Sequence, residues 1–541
     1  DEICDFQPAM STMMGERRYN AELGTLSKER RDDHVQSLRA MLKEAHAIED
    51  GGGLPEEQVT NLEYLVGFLK AEVAFRENLP YEMPLNHMFG PHMFLFVSAK
   101  FMPLETAEDC EALLSRVRKF GTLMDEMIDV LRDGIKSGRT LPVDSVQRLI
   151  GQMAQQLVDD PEKTLLFQVV HGKLEAAGAS VGELKVLLED IVAPAARRVH
   201  EFLSNEYLQH ARKDAGIWSI PGGSEAYVAF MNYYTGLTLD PHDVHERGKQ
   251  EVARVMAKID DLRRSLGEDA GTLPEFATRV ASRLENLPKD AEDIIARYKL
   301  LVTEAREHCA PLFDRVSEAP LEVVAVEPFR APSTPAGHYI RAPTDRSRPA
   351  FFYANTYKPE TRPLFAMRAL ALHEGIPGHH LQTAIAQELP ALPRVRKQNQ
   401  DFTTGFTEGW GLFCEYLGEE VGFYKNPWDM YGRFTAELWR AARLVVDTGL
   451  HYERWSREEA ITYMCNHTCL AYDEAVVEVD RYTVAPGQAL AYRLGEQKLL
   501  ELRERAELEL KDRFTWKGFH NALLGNGAMP LGVIERHVDQ W

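Results

Sequence analysis

No stretch of this chain reaches the ~18–20 uninterrupted apolar residues that a helix needs to cross a bilayer, so no transmembrane span is expected. Cysteine is scarce: six in 541 residues, at 4, 110, 309, 414, 465 and 469, too few and too scattered for a disulfide scaffold. Cys465-x-x-x-Cys469 has no second cysteine pair to complete a structural zinc site. Basic charge is in deficit, with 62 Lys and Arg against 83 Asp and Glu and a net charge of −21, which argues against a nucleic-acid partner. Internal repeats and low-complexity segments are lacking. Gly51-Gly52-Gly53 and Pro221-Gly222-Gly223 read as turns, because neither is followed by the Lys-Ser/Thr of a phosphate loop. The first residue is Asp1 rather than Met, which fits a removed leader or tag; with no span, the protein is expected to be soluble, and its compartment, cytoplasmic or exported with the leader removed, stays open. Asn466-His467-Thr468 is a lone glycosylation sequon of the kind chance supplies.

What is present is ordinary for a globular chain: 44% hydrophobic and 27% charged residues, with length for a large core. Apolar residues recur at spacings of three and four through long segments, the periodicity of packed helices. Thr106-Ala-Glu-Asp opens one that reaches about residue 135. Asp159-Asp160-Pro161-Glu162, Asp240-Pro241 and Leu287-Pro-Lys-Asp carry start signals for others, the last two running towards 266 and 315. Between 317 and 360 the pattern changes to short β-branched or aromatic runs split by prolines: 321–327, 338–341 and 350–356 read as strands of a small sheet. Helix resumes at about 361 and continues to the C-terminus. The expected fold is mainly α with a small β-sheet next to the helix that carries a His-Glu pair. Residues 1–316 are read as an N-terminal helical region and 317–541 as the region bearing the chemistry, in one continuous body with a central cleft.

That pair lies in Ala369-Leu-Ala-Leu-His373-Glu374-Gly-Ile-Pro377-Gly378-His379-His380. His-Glu followed by His on a helix is how many zinc hydrolases hold their ion, the two imidazoles as ligands and the Glu as base. The usual spacing puts the second His four residues on, where this chain has Pro377. On an unbroken helix His379 would sit about 120° round from His373, and His380 on the same face but about 10 Å further along. Neither could share one ion with His373. Pro377 removes a helical N–H and clashes with the preceding turn, and Gly378 adds freedom. A bulged turn would therefore return His379 or His380 to His373, and a continuous helix from 373 to 380 would refute the ligand set.

Three further stretches carry candidates. Glu408, 35 residues after His373, lies among small and apolar residues on the next helix, a suitable place for a third ligand. Glu415 follows it by two turns and could receive the second N–H of a ligand histidine. Arg440, Arg443, Asp447 and His451 share one helix face; an Arg–Asp structural pair is expected for the arginines, and His451 is a candidate oxyanion donor. Arg481 and Tyr482 precede the turn Pro486-Gly487-Gln488 and could bind a carboxylate and polarise a carbonyl, and Tyr492 lies one turn into the following helix. Core packing with a satisfied hydroxyl is the plain alternative for each tyrosine.

Together these motifs resemble the family grouped as domain of unknown function 885, placed among the gluzincin-like metallopeptidases. The residues that carry the resemblance are His373-Glu374-Gly-Ile-Pro377-Gly378-His379, Glu408-Gly-Trp410, Arg443-Leu-Val-Val-Asp447-Thr-Gly-Leu-His451, and Arg481-Tyr482 with Pro486-Gly487-Gln488-Ala489. Phe352-Tyr353-Ala354-Asn355-Thr356, Pro221-Gly-Gly-Ser-Glu-Ala-Tyr227 and Met529-Pro-Leu-Gly extend it over nearly the whole chain. The resemblance implies a large helical metallopeptidase-like fold and one Zn2+ held by His373, His379 and Glu408, with Glu374 as general base, and it selects His379 over His380. The expected function is a zinc-dependent hydrolase of short peptides, with His451, Tyr482 or Tyr492 stabilising the oxyanion. Asn355, Tyr353, Arg481 and Arg443 would hold the substrate, the Asn355 strand doing so by main-chain pairing. The alternatives are an amidase acting on a non-peptide small molecule, or a binding protein that keeps the fold without catalysis.

Overall fold

The computed structural model describes residues 2–328, 331, 334–344, 346–398 and 401–541. The chain divides into two compact units, one of Asp1–Ala47 with Val73–Ala226 and the other of Ile48–Glu72 with Tyr227–Trp541. The change of composition at 317 therefore marks a sheet within the second unit rather than a unit boundary. Residues 227–316 pack with the His-Glu region through apolar faces, Ile294 and Tyr298 against Met367 and Ala371, and Val244 against Leu444.

The first unit is helical. Helix α1 (Ala107–Ser137) begins at Thr106 in a capping box with Asp109 and ends at Gly138 in the left-handed conformation. α2 (Val143–Gln156) follows, and α1 buries Leu113, Val117, Phe120, Met124, Met127 and Leu131, one stripe at spacings of three and four, in a core shared with α3 (Ala193–Asn205), which packs on both helices. Asp160 caps only a single turn, Pro161–Lys163, and Thr164 caps the helix Leu165–Ala176 that follows.

In the second unit Asp240 caps α4 (Pro241–Ser265) and Asp290 caps α5 (Ala291–Cys309). A three-stranded sheet follows: β1 (Leu321–Ala325), β2 (Gly337–Ile340) and β3 (Ala350–Ala354), in the order β1-β3-β2. Strand β3 pairs in parallel with β1 and antiparallel with β2. Val323, Phe352 and Ala354 pack against Ile294 and Tyr298 of α5 and Met367 and Ala371 of α6 (Met367–Glu374). Then come α7 (His379–Glu388), α8 (Thr404–Glu420), α9 (Pro427–His451), α10 (Tyr472–Val484) and α11 (Leu490–Leu510). The fold is thus mainly α with a small sheet beside the His-Glu helix.

Two helix pairs frame the site. α4 lies along α9 at Gly248, where a Cβ would come within 2.8 Å of Leu444 and Val445 side-chain atoms. α8 crosses α11 through glycines: a Cβ on Gly495 would lie 1.9 Å from the Gly405 carbonyl oxygen, and one on Gly409 2.5 Å from the Gly495 backbone. Among the described residues no helix is long and apolar enough to cross a membrane.

Candidate metal centre

The helix breaks where Pro377 and Gly378 fall: α6 ends at Glu374 and α7 begins at His379. Gly378 permits the fold-back, since a Cβ there would lie 1.9 Å from the carbonyl oxygen of His373 and 2.3 Å from that of Leu372. The His380 N–H donates to the Gly375 carbonyl at 3.2 Å. From α8, the buried Trp410 indole N–H donates to the Pro377 carbonyl at 2.9 Å, tying the turn to the helix that carries Glu408.

The break brings the His373 and His379 rings to 4.7 Å between centroids, nearly perpendicular at 86°. Glu408 Oε2 stands 3.4 Å from Nε2 of each histidine, and the three ligand atoms lie within 4.8 Å of one another. Ligands bonded at about 2.0–2.1 Å to one tetrahedral ion stand roughly 3.4 Å apart, so the separations from Glu408 fit donors that share an ion. The Glu408 side chain keeps 18% exposure against 3% for His373, which leaves an approach from that side. His380 turns elsewhere: its Nε2–H donates to the Ala319 carbonyl at 3.0 Å, and its Nδ1 lies 3.4 Å from the Tyr339 hydroxyl.

The His373 ring is fixed from two sides. Its Nδ1–H donates to Glu415 at 2.9 Å, and Arg440 backs Glu415 at 3.7 Å. Gly411 leaves the ring its space, since a Cβ there would lie 2.6–2.9 Å from three ring atoms. Nothing in the spacing of Glu408-Gly-Trp-Gly411 identifies this contact. Burial favours the neutral His373 imidazole, but hydrogen bonds to Glu408 and Glu415 outweigh it and hold the ring pKa at about 9. Burial likewise disfavours charge on Glu408, yet bonds from both histidines hold its carboxyl well below the usual range. Glu374, also buried, is pushed up by burial, against the attraction of His373 and His379. Three carboxylates thus face two imidazoles in a dry site, a field that favours a cation.

The other predicted residues lie apart from this cluster in their bonding. The Tyr482 hydroxyl donates to Glu478 at 2.8 Å and accepts from Arg443 at 3.0 Å and Trp439 at 3.3 Å. His451, fully buried, donates from Nε2 to the Tyr482 carbonyl at 2.9 Å. Both groups thus give their protons to partners other than the three ligands. Tyr492 is partly exposed, accepts from Arg481 at 3.4 Å, and has no acceptor for its own proton among the described residues. Arg481 also donates to Gln488 at 2.6 Å. The expected Arg–Asp pair is corrected: Arg443 pairs with Glu478 at 3.2 Å and Arg440 with Glu415. Asp447 instead accepts from the Tyr227 hydroxyl at 2.7 Å and the Gly487 N–H at 3.0 Å, while burial pushes its carboxyl up to about 7.

The expectation for the Asn355 strand is corrected too. β3 is the central strand, so its main chain is already paired on both sides. Asn355 donates to the carbonyls of Ala331 and Thr334 at 2.8 and 2.6 Å and accepts from the Tyr357 N–H at 3.0 Å, which fixes the loop rather than a ligand. Tyr353 is buried and stacked on His338, 5.0 Å between centroids.

Fold and site define a large, mainly helical protein with a candidate His-His-Glu metal centre at a broken helix. Residues 8–538 match the family described as bacterial protein of unknown function (DUF885), and the chain belongs to it. A crystal structure from Colwellia psychrerythraea, described as a candidate lipoprotein, is similar with a TM-score of 0.93 at 27% identity, covering 100% of this chain and 96% of that one. A structure from Shewanella oneidensis, described as a candidate lipoprotein of unknown function, gives a TM-score of 0.73 at 17% identity, covering 99% and 97%. No curated protein matches the chain.

Proposed function

We propose that the protein is a zinc-dependent hydrolase that cleaves peptide bonds of short peptides. The observation that carries this reading is the placement of Glu408 Oε2 at 3.4 Å from the Nε2 atoms of both His373 and His379. His373, His379 and Glu408 would hold one zinc ion, which supplies Lewis-acid polarisation of a substrate carbonyl and makes water acidic enough to attack. Glu374, adjacent in sequence to His373 and buried beside both imidazoles, takes the proton of the attacking water and returns it to the leaving amine. Its burial supports that role, since a carboxyl raised above its ordinary range holds a proton long enough to deliver it. Glu415 keeps the His373 ring turned so that Nε2 faces Glu408. Among the candidate oxyanion donors Tyr492 is the one with a hydroxyl proton to give, because Tyr482 and His451 already donate theirs.

Metal analysis of the purified protein and hydrolysis of a mixed peptide library test this directly. The expected result is one zinc per chain, with cleavage lost by at least about a hundredfold in Glu374→Gln while zinc is retained. Protein that takes up no zinc, or a Glu374→Gln variant as active as the parent, sinks the reading.

A further inference from the structure

Two of the ion-pair networks in the second unit differ in how their bonds are shared. Between α4, α8, α9 and α11, Arg254, Lys258, Arg433 and Arg493 meet Glu251, Glu419, Glu437 and Glu496. Four cations face four anions, and this network needs nothing more. The second network is uneven in its bonds. Arg443 and Arg481 share one carboxylate, Glu478, at 3.2 and 3.5 Å. Asp447, whose field both arginines feel, spends its oxygens on Tyr227 and Gly487.

Arg443 is 2% exposed and its NH1 has no hydrogen-bond partner. A buried guanidinium N–H left unmade costs stability. The group is also held flat, 4.4 Å from the ring centroids of both Trp439 and Tyr492. Trp439 and Tyr492 beside Arg443, and Arg481 with its partner Gln488, are each partly exposed, so the arginine pair borders solvent. The same stretch of α9 leads to the metal centre: Arg440 lies 4.5 Å from the Trp439 ring on its way to Glu415 and His373. A planar guanidinium with an N–H left unmade and a second arginine beside it is suited to a carboxylate, which takes parallel N–H bonds.

We propose that Arg443 and Arg481 bind the free α-carboxylate of a short peptide, so that the protein works from the C-terminal end of its substrates. This rests on the peptidase reading above and adds to it which end of the peptide is recognised.

The test is calorimetric titration of zinc-loaded, full-length Glu374→Gln protein with three N-acetylated tripeptides: one with a free C-terminal carboxylate, its C-terminal amide, and an amide ending in glutamate. The free acid is expected to bind at least about tenfold more tightly than either amide. Arg481→Gln, with zinc content checked as a sign of intact folding, is expected to bring acid and amide within about threefold; Arg481→Lys serves if that variant fails to fold, and is expected to narrow the gap. Equal binding of acid and amide, equal binding of the glutamate-ended amide, binding of none of the three, or an undiminished preference in the Arg481 variants overturns the proposal. Because the readout is binding, it separates from the hydrolase reading: peptides cleaved regardless of their C-terminus would leave zinc hydrolysis standing and remove the carboxylate site.

Discussion

A histidine ligates well when its ring is fixed and its second nitrogen is occupied by a good acceptor. His373 has both, Glu415 on Nδ1 at 2.9 Å and Gly411 leaving the ring its space. Glu415→Gln keeps an acceptor but removes the charge, and is expected to weaken zinc binding by about 10–100-fold, as measured by chelator competition. Unchanged affinity would mean that Glu415 only packs. At this scale the sequence was informative where type and neighbourhood decide, as for His373 and for Glu408 among glycines and aromatics. Which of His379 and His380 faces His373 depends on the dihedrals of a four-residue turn, which spacing does not specify. His451 lies on the helix that its sequence predicts and Tyr482 before the turn, yet neither position says whether a ring or hydroxyl proton is already given away.

Secondary elements were the most legible level, because capping is local chemistry. Thr106, Asp240 and Asp290 sit at the helix starts their sequences announce. Pairing between strands is not local, and this is why β3 reads the same whether it is central or at an edge. The close crossing of α8 and α11 is likewise invisible in either sequence alone, although it sets where Glu408 stands. In Gly495→Ala the new methyl must displace the Gly405 carbonyl, 1.9 Å away. The helices are expected to part, with a loss of about 1–3 kcal/mol in urea denaturation. Zinc affinity should fall with it, since α8 carries a ligand; stability lost with affinity kept would separate the crossing from the site.

The division of the whole molecule lay furthest from the sequence. Residues 48–72 belong with 227–541 although 150 residues and more of the other unit intervene, and composition gives no sign of such a return. Each unit contains a buried histidine whose pKa burial pushes down to about 4: His92 in the first, with neither ring nitrogen bonded, and His520 in the second, which donates to the Leu312 carbonyl. With the folded pKa below the ordinary 6.5, the unfolded chain takes the proton first as pH falls. Stability is therefore lost from about pH 6.5 down to about 4. Moving from pH 7 to pH 5 should cost roughly 2 kcal/mol at each histidine. Urea transitions at the two pH values check this, and His92→Leu should flatten the pH dependence of the first unit alone. An equal acid sensitivity in that variant would count against His92.

The indole of Trp410 is at once sealed from water and bonded to the Pro377 carbonyl, inside the turn that separates the two histidines. It is therefore an optical probe already built into the centre. An indole in dry surroundings emits at shorter wavelength than one in water, and its emission responds to the strength of the bond it donates. Subtracting the spectrum of Trp410→Phe from that of the parent isolates one chromophore among seven. Loading or stripping the ion should then be visible as light, in real time and without a substrate.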